Sequence, residues 1–315
     1  MVGIFFYDDS FIGVLLSHRR AIIELIFAGT LWGFGFVATV WALKIMSPSE
    51  VLVIRFLFAF LIGEIIHYFI YKNKKIKSVK EPGFWGAGFF LAGNLLFQTI
   101  GLQFTTATNS AFLTCLYVVL VPILSALLFK QKIAARIYFH VFIALIGSFL
   151  LMNTFHVDLN KGDLWTIACA FWAAGHILYI GHVTKKVNDS FRFNNRQSLA
   201  AFLFLTPLLL LNPKIIHNNW SSIDQNTIVY ALIGLFIVSC GSSLLAFFIQ
   251  VRTQKYLSPS TASMLFLLES PIALFFGFLF LQERLAGIQI VGCCLIILAA
   301  ILQIRWETKR PIKAR

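Results

Sequence analysis

Long apolar runs, each bounded by charged or turn residues, divide the chain into ten segments of about helix length. A membrane-spanning helix needs roughly 20 mostly apolar residues, and in lipid a helix satisfies all its backbone groups within one segment. The pattern therefore predicts an all-α integral membrane protein. The ten predicted transmembrane helices are 22–43, 49–71, 84–103, 107–129, 137–153, 162–183, 197–211, 227–250, 259–281 and 286–305.

The composition narrows the class of protein further. Of the 315 residues, 59% are hydrophobic and 12% are charged, whereas a soluble domain carries about a quarter charged residues. This argues against a soluble enzyme, a disordered protein and a secreted disulfide scaffold. All five cysteines lie inside apolar runs, and none has the CxxC spacing of a metal or redox site. We expect no metal and no cofactor.

The net charge of +13 carries information about orientation. A basic balance can indicate nucleic-acid binding, but here Lys and Arg lie in short clusters between apolar runs. With the N-terminus inside, 21 of the 26 basic residues fall on the inner side and four on the outer side, while Arg55 lies within a span. Positive charge marks the cytoplasmic side. This predicts a multi-pass inner-membrane protein with both termini cytoplasmic and no nucleic-acid partner.

The two ends of the chain lie outside the predicted spans. Residues 1–21 are apolar but lack a basic start, and Asp8 and Asp9 interrupt them, unlike a cleaved signal peptide. We expect 1–21 to be a cytoplasmic or interfacial segment and 306–315 to be a basic cytoplasmic tail.

Two halves of the chain resemble each other. The first span reads LWGFGFVA from Leu31 and the sixth reads FWAAGHIL from Phe171, an offset of 140 residues. Residues 104–129 likewise echo 256–281, with Pro122 and Pro271 at an offset of 149. This predicts two repeats, 22–153 and 162–305. Because five spans is an odd number, the repeats are inverted, an arrangement typical of secondary transporters.

An ordered set of short motifs resembles the drug/metabolite transporter superfamily, in its ten-span form with two EamA-type domains. The residues that carry the resemblance are Trp32-Gly33, Phe36-Val37-Ala38, Arg55-Phe56, Gly101 to Ala107, Ala111 to Thr114, Pro122, Gly162-Asp163, Leu257-Ser258-Pro259, Leu268-Glu269 and Leu281 to Arg284. The chain departs from the family where Ser270 separates Glu269 from Pro271, and where the first half has no carboxylate in its Lys130-Gln131-Lys132 link.

The resemblance implies a proton- or gradient-linked carrier, commonly an exporter of amino acids or related metabolites. From the inverted repeats we expect alternating access, and we expect a monomer or weak homodimer. The resemblance also implies a cavity lined by spans one, three, four, six, eight and nine, with spans five and ten at the periphery. A lipid-linked-sugar flippase stays open as an alternative, although no Lys or Arg is placed mid-span for a phosphate. An intramembrane enzyme is less favoured because the chain has no HExxH, GxSxG or intramembrane aspartate pair.

Polar residues inside the spans are the candidates for substrate contact, because polar groups in hydrocarbon face the bundle interior or a wet cavity. In span six the side chains of one helical stripe are Trp165, Cys169, Trp172, His176 and Tyr179. We predict that Trp172, His176 and Tyr179 line the cavity; the alternative is a stripe that only packs between helices. Span one offers the counterparts Trp32, Phe36 and Thr39, although Trp32 also suits an interfacial anchor.

Three other spans carry amides and hydroxyls at helical spacing. The predicted cavity residues are Asn94 and Gln98 in span three, Ser110, Thr114 and Tyr117 in span four, and Ser243, with Ser239 and Gln250, in span eight. The alternative is that they form hydrogen bonds between helices, which contribute roughly 0.6–2 kcal/mol each.

Few charged or kink-forming residues lie within the spans. We predict Glu269 as the proton-coupling residue, with His176 as a second candidate, because a carboxylate in mid-span is expected to be protonated, partnered or facing water. Arg55 is expected to reach the outer interface as an anchor. Pro122 and Pro271 are predicted kinks that serve gating.

Overall fold

The computed structural model of the protein describes residues 11–71, 82–130, 132–152, 160–211 and 220–308. Within these ranges the regular secondary structure is all helical, without a strand. The ten principal helices of the described chain are α1 (Phe11–Leu43), α2 (Pro48–Tyr71), α3 (Phe84–Gly101), α4 (Ala107–Phe129), α5 (Ala135–Leu151), α6 (Lys161–Val183), α7 (Ser190–Leu205), α8 (Gln225–Thr253), α9 (Pro259–Leu281) and α10 (Gly287–Thr308).

The helix bounds follow the apolar runs closely, with two differences. Helix α1 begins at Phe11, so the part of the N-terminal segment from 11 to 21 continues into the first helix; residues 1–10 lie outside the described residues. The seventh helix begins at Ser190, seven residues before the predicted start, and ends at Leu205, followed by a 3₁₀ turn at Thr206–Leu210. The predicted tail is described only as far as Thr308.

Six helices of the described chain are long and apolar enough to cross a membrane by length and composition: α1, α4, α6, α8, α9 and α10. Helix α5 is apolar but shorter, at 17 residues. The residues that face outward from the bundle include many exposed large apolar side chains, such as Phe69, Leu127 and Phe236. An exterior of this kind fits a lipid-facing surface.

Short polar side chains start the helices by accepting hydrogen bonds from the first free backbone N–H groups. Thr106 caps α4, Asp189 caps α7 and Ser258 caps α9. Asn160 and Asp163 form a reciprocal capping box at the start of α6. These caps fix where each helix begins and therefore which residues reach the interior at the same depth.

The helices pack in matched pairs. Helix α3 lies along α6, and α8 lies along α1 in the same way. Helix α4 contacts α6, and α9 contacts α1; α2 packs on α7, and α5 packs along α10. Helices α5 and α10 thus pack mainly on each other, whereas the sequence resemblance implied only that spans five and ten lie at the periphery.

Helices α4 and α9 are both interrupted, and the interruptions occur at corresponding points. Helix α4 consists of Ala107–Thr114 and Tyr117–Phe129, and α9 consists of Pro259–Phe266 and Glu269–Leu281. Their caps, interruptions and left-handed C-terminal residues, Lys130 and Gln282, all recur at an offset of 152 residues. The expected match of Pro122 with Pro271, at an offset of 149, is therefore wrong by almost one helical turn.

Only one of the two interruptions is caused directly by a proline. Pro271 has no N–H to offer the carbonyl of Leu267, which accepts instead from the Ser270 N–H at 3.1 Å. In α4 the interruption lies at Cys115–Leu116, six residues before Pro122. Here the break is held by contact with α9, since the Cys115 Sγ lies 2.9 Å from the Ser270 Oγ. Pro122 lies inside the second part of α4 and not at its break.

Helix α8 contains a π-helical segment of ten residues, Ile237–Ala246. Such segments are rare and occur frequently at functional sites. The amide of Asn194 in α7 donates to the carbonyls of Ser243 and Leu244, at 3.3 and 3.0 Å. This side chain stabilises the widened part of α8 from the neighbouring helix.

The contact between α5 and α10 depends on two glycines. A Cβ added at Gly147 would lie 2.7 Å from the Gly292 carbonyl oxygen, and one added at Gly292 would lie 2.5 Å from the Gly147 carbonyl oxygen. Small residues allow membrane helices to approach this closely. By contrast, a Cβ at Gly287 would meet no atom within 4 Å.

We predict that Gly147→Ala and Gly292→Ala each lower the melting temperature of the detergent-purified protein, while Gly287→Ala leaves it unchanged or raises it. Alanine favours a helix over glycine by about 1 kcal/mol. The substitution therefore lowers stability only where the added methyl group would overlap the backbone of the neighbouring helix. The overlap should cost roughly 1–3 kcal/mol. Equal melting temperatures for the three variants would contradict the close approach of α5 and α10.

Candidate functional site

A cavity lies inside the bundle, between residues of α1, α2, α3, α4, α6, α8 and α9. Four aromatic side chains form its apolar wall: Trp32, Phe36, Phe247 and Phe266. The Trp32 ring packs 4.9 Å from the Phe266 ring and 5.2 Å from the Phe247 ring, measured between centroids. Helices α1, α8 and α9 thus supply one continuous aromatic surface.

Glu269 lies where the two interrupted helices meet. Its side chain lines the cavity and is 6% exposed. The hydroxyl of Tyr117, the first residue of the second part of α4, donates to the Glu269 Oε1 at 2.9 Å. Cys115 and Ser270 complete the contact between the breaks. No basic residue within the described ranges forms an ion pair with this carboxylate.

Arg55 is also buried and lines the cavity, with 3% of the residue exposed. Its Nε donates to the Ser243 Oγ at 2.6 Å, across from α2 to the π-helical segment of α8. The prediction that Arg55 reaches the outer interface as an anchor is therefore wrong.

His176 connects the cavity to a buried amide chain. The residue is 2% exposed, and its Nε2 lies 3.4 Å from the Gln197 Oε1. The Gln197 amide donates in turn to the Asn194 Oδ1 at 2.7 Å. The chain therefore links the wall of α6, through α7, to the carbonyls of the π-helical segment.

Neutral amides and hydroxyls also line the cavity. The candidates Asn94, Gln98 and Thr114 are among the lining residues. Cys169 donates to the Asn94 Oδ1 at 3.0 Å, and the Gln98 amide approaches the Thr114 Oγ1 at 3.4 Å. These groups still have unused donor and acceptor capacity for a ligand.

Several predicted cavity residues do not line this cavity. The predicted stripe of α6 divides: His176 faces the cavity, whereas Trp172 packs on the Phe89, Phe90 and Phe97 rings of α3. Tyr179 likewise packs on Phe90, at 5.7 Å between centroids. These two side chains take the packing role that was the alternative interpretation of the stripe.

The predicted cavity residues that carry hydroxyl groups also fall into two groups, because some of them lie outside the lining. Thr39 donates to the Gly35 carbonyl and is buried within α1, and Ser110 lies 3.5 Å from the Thr166 Oγ1 at the contact of α4 with α6. Ser243 is not in the lining of the cavity; its Oγ accepts from the Nε of Arg55, which is. Pro122 and Pro271 are not in its lining.

Sequence reasoning also missed residues that do line the cavity. Arg55 was visible as a lone basic residue in an apolar span, but the anchoring interpretation competed with it. Ser242 lines the cavity in place of Ser243, because the π-helical segment shifts the face that each residue presents. Gln250 was not missed: the sequence names it in span eight, and it lines the cavity and donates to Gln254, whose own amide donates to the Ile177 carbonyl.

Carboxylates tie the helices together at both ends of the bundle. At one end Glu24 of α1 pairs with Arg252 of α8 at 2.5 Å, and Glu64 of α2 pairs with Arg192 of α7 at 2.5 Å. At the opposite end Glu283 accepts from the Ala107 N–H and from the Thr108 hydroxyl, at the start of α4. The cavity therefore lies between two sets of polar contacts.

The site has the chemistry of a binding cavity. Aromatic rings, neutral amides, one carboxylate and one guanidinium face the same space. Among the residues that the structure describes, no cluster of three His, Cys, Asp or Glu side chains is placed to hold a metal ion. The arrangement suits a small molecule that combines polar groups with apolar surface.

We predict a specific coupling between Gly35 and Ser242. A Cβ at Gly35 would lie 2.6 Å from the Ser242 Oγ, so Gly35→Ala should lower the melting temperature. Ser242→Ala removes that oxygen and loses one hydrogen bond to the Leu31 carbonyl, at a cost of about 0.6 kcal/mol. The double variant should therefore be more stable than Gly35→Ala alone. Additive losses would contradict the contact of α1 with the π-helical segment.

Comparison with known proteins identifies the family. The model of the EamA-like transporter family matches the chain twice, over residues 19–153 and 160–305. An uncharacterized transporter of Archaeoglobus fulgidus is 30% identical over 91% of this chain and 86% of its own length. The uncharacterized transporter YcbK of Bacillus subtilis is 25% identical over 80% of this chain and 82% of its own.

A solved crystal structure superposes on the fold with a TM-score of 0.69, covering 90% of this chain and 96% of its own. At 16% sequence identity, it shows a shared fold alone. The two family matches together cover nearly the whole chain, and the apolar helices are those of a protein that crosses a membrane repeatedly. The chain is therefore a multi-pass membrane protein that belongs to the EamA-like transporter family.

Proposed function

We propose that the protein is a secondary transporter that exports a small metabolite, an amino acid or a related compound, across the bacterial inner membrane by alternating access. The observation that carries this proposal is the cavity, whose walls combine aromatic rings, neutral amides and two buried groups of opposite charge. An amino acid presents the same combination of charged, polar and apolar groups.

The proposal includes ten spans arranged as two inverted repeats, 22–153 and 162–305. Helix caps, breaks and helix ends recur at an offset of 152 residues, which supports this arrangement. The matched packing of α3 on α6 and of α8 on α1 also supports it. The two separate family matches divide the chain at nearly the same place. Inverted repeats provide two alternative openings to one central site.

We place both termini in the cytoplasm. Arg20, Arg192 and Arg252 belong to the ion pairs at one end of the bundle, and the predicted inner loops carry most of the other basic residues. Positive charge near the ends of spans favours the cytoplasmic side. The end that carries Glu283 then faces outward.

Alternation between two openings requires parts of the bundle to move past each other. The contact of the α4 break with the α9 break is a suitable place for such movement, because few regular helical hydrogen bonds cross either break. The ion pair of Glu24 with Arg252 and the capping of α4 by Glu283 then close opposite ends.

Proton coupling is assigned to Glu269, with His176 as the second group. Glu269 lines the cavity, has a single hydroxyl donor and lies at the contact of the two breaks. An ionised carboxylate inside a membrane bundle is costly without a cation or water. Its charge state is therefore sensitive to whether the site is open to water and to what occupies the cavity.

Transport by the purified protein in proteoliposomes tests this function. We expect saturable, counterflow-stimulated movement of at least one amino acid and no faster scrambling of a fluorescent phospholipid. Glu269→Gln should remove the response to an imposed pH gradient, whereas Glu307→Gln, near the end of α10, should keep it. Scrambling without saturable movement of any amino acid would instead support the lipid-linked-sugar flippase.

Two tryptophans at an offset of 140 residues provide a matched test of the cavity. Trp32 lines it, whereas Trp172 packs on α3 outside it. We expect an amino acid that raises the melting temperature of the unmodified protein to lose that effect with Trp32→Ala and to keep it with Trp172→Ala. Loss of the effect in Trp172→Ala alone would show that the ligand binds elsewhere.

A further inference from the structure

Arg55 is an unusual group for the interior of a membrane bundle. It is almost wholly buried, it lines the cavity, and no carboxylate of the described chain lies within ion-pair distance of it. Burial of a charge without a partner is costly. A protein that keeps such a cation facing a cavity gains most when an anion enters that cavity.

The hydrogen bond that holds Arg55 leaves the terminal nitrogens of its guanidinium available to a ligand. Ser243 accepts from the Nε, and Phe56 lies 5.8 Å from the guanidinium carbon. A guanidinium has five N–H donors in a rigid, planar fork. Fixing the Nε therefore orients the fork and leaves the terminal nitrogens for a bidentate bond, the geometry that a carboxylate matches.

The remainder of the lining favours a single negative charge on the ligand. Among the described lining residues, His176 is the one other with a side chain that can become cationic, and it already contacts Gln197. Glu269 faces the same cavity, yet it forms no salt bridge with Arg55. Arg55 and Glu269 therefore face the cavity without pairing with each other. The cavity has too little positive charge to balance a doubly charged phosphate.

The indole of Trp32 adds a further unused donor. Its Nε1 is buried and has no hydrogen-bond partner, although the ring lines the cavity. A buried N–H without an acceptor costs free energy. A ligand that carries acceptor oxygens satisfies this donor as well as the guanidinium.

We propose that Arg55 is the subsite for the carboxylate of the transported molecule, so that the cargo is a small metabolite with one carboxylate group. The inference rests on the proposed transport function and narrows its substrate class. Ser243 acts as a positioning residue that orients the guanidinium, and the aromatic wall of Trp32, Phe247 and Phe266 receives the apolar part of the molecule.

Matched pairs of acids and amides test the subsite on the unmodified chain. The probes are L-phenylalanine with L-phenylalaninamide, L-leucine with L-leucinamide, and L-threonine with L-threoninamide, measured by thermal shift and calorimetry in detergent. We expect at least one acid to bind at least roughly thirtyfold more tightly than its amide. If no acid is preferred over its amide in any pair, the carboxylate subsite is wrong.

Three variants then assign the preference to Arg55. Arg55→Gln should bind the preferred acid at least roughly thirtyfold more weakly, and Arg55→Lys should fall between, because it keeps the charge but loses the fork. Arg284→Gln, an exposed arginine between α9 and α10, should bind like the unmodified protein. Unchanged acid binding by Arg55→Gln overturns the proposal; if that variant does not fold, unchanged binding by Arg55→Lys does so.

A stability measurement separates binding from a structural role. Because Arg55→Gln removes a buried charge that no carboxylate balances, we expect the ligand-free variant to melt at the same or a higher temperature. A lower melting temperature together with an unchanged ratio of acid to amide binding would assign Arg55 a structural role only.

The test distinguishes this proposal from the transport proposal. Proteoliposomes that move amides as well as acids would retain the transporter and reject the carboxylate subsite. If nothing in the panel is moved, the transport proposal fails, and the acid and amide binding measured in detergent still decides what Arg55 recognises.

Discussion

Inside the hydrocarbon of a membrane no water reaches the backbone, so every interruption of an α-helix has to find its hydrogen-bond partners within the protein. The described chain has three interruptions next to the cavity: the break in α4, the break in α9 and the π-helical segment of α8. The two breaks are held by each other through Cys115, Tyr117, Glu269 and Ser270. The π-helical segment is held by Asn194.

The cavity exists because these irregular segments converge. Regular helices pack with few gaps, whereas a break turns side chains away from the neighbouring helix and leaves room beside it. The same segments supply the polar groups of the lining: Glu269 follows the α9 break, Tyr117 follows the α4 break, and Ser242 belongs to the π-helical segment. Binding chemistry and local irregularity therefore have one structural origin.

Most of the fold could be predicted from the sequence, because the length of each apolar run and the charges between runs are direct consequences of the membrane. The helix bounds agree to within a few residues at most ends. The residues that line the cavity were harder to predict. The polar stripe of α6 covers only about 80° of the helix circumference at 3.6 residues per turn. Part of this stripe faces the cavity and part faces α3. His176 and Trp172 therefore take different roles.

Other errors came from local geometry that spacing alone does not reveal. Regular periodicity placed Ser243 in the cavity, but the π-helical segment turns Ser242 toward it. The proline pair suggested an offset of 149 residues, yet the caps and helix ends recur at 152. Arg55 was assigned to the interface because snorkelling is common for arginine in membranes; only its contact with Ser243 in α8 shows that the side chain points inward.

The reciprocal contact of Gly147 with Gly292 limits how this sequence can change over time. At each glycine the obstacle is a main-chain carbonyl oxygen of the other helix, and a carbonyl cannot be replaced by substitution. No second-site change of a side chain can make room for a methyl group there. A substitution at either glycine therefore cannot be compensated by a side-chain substitution elsewhere. Only a shift of α5 relative to α10 would make room for it.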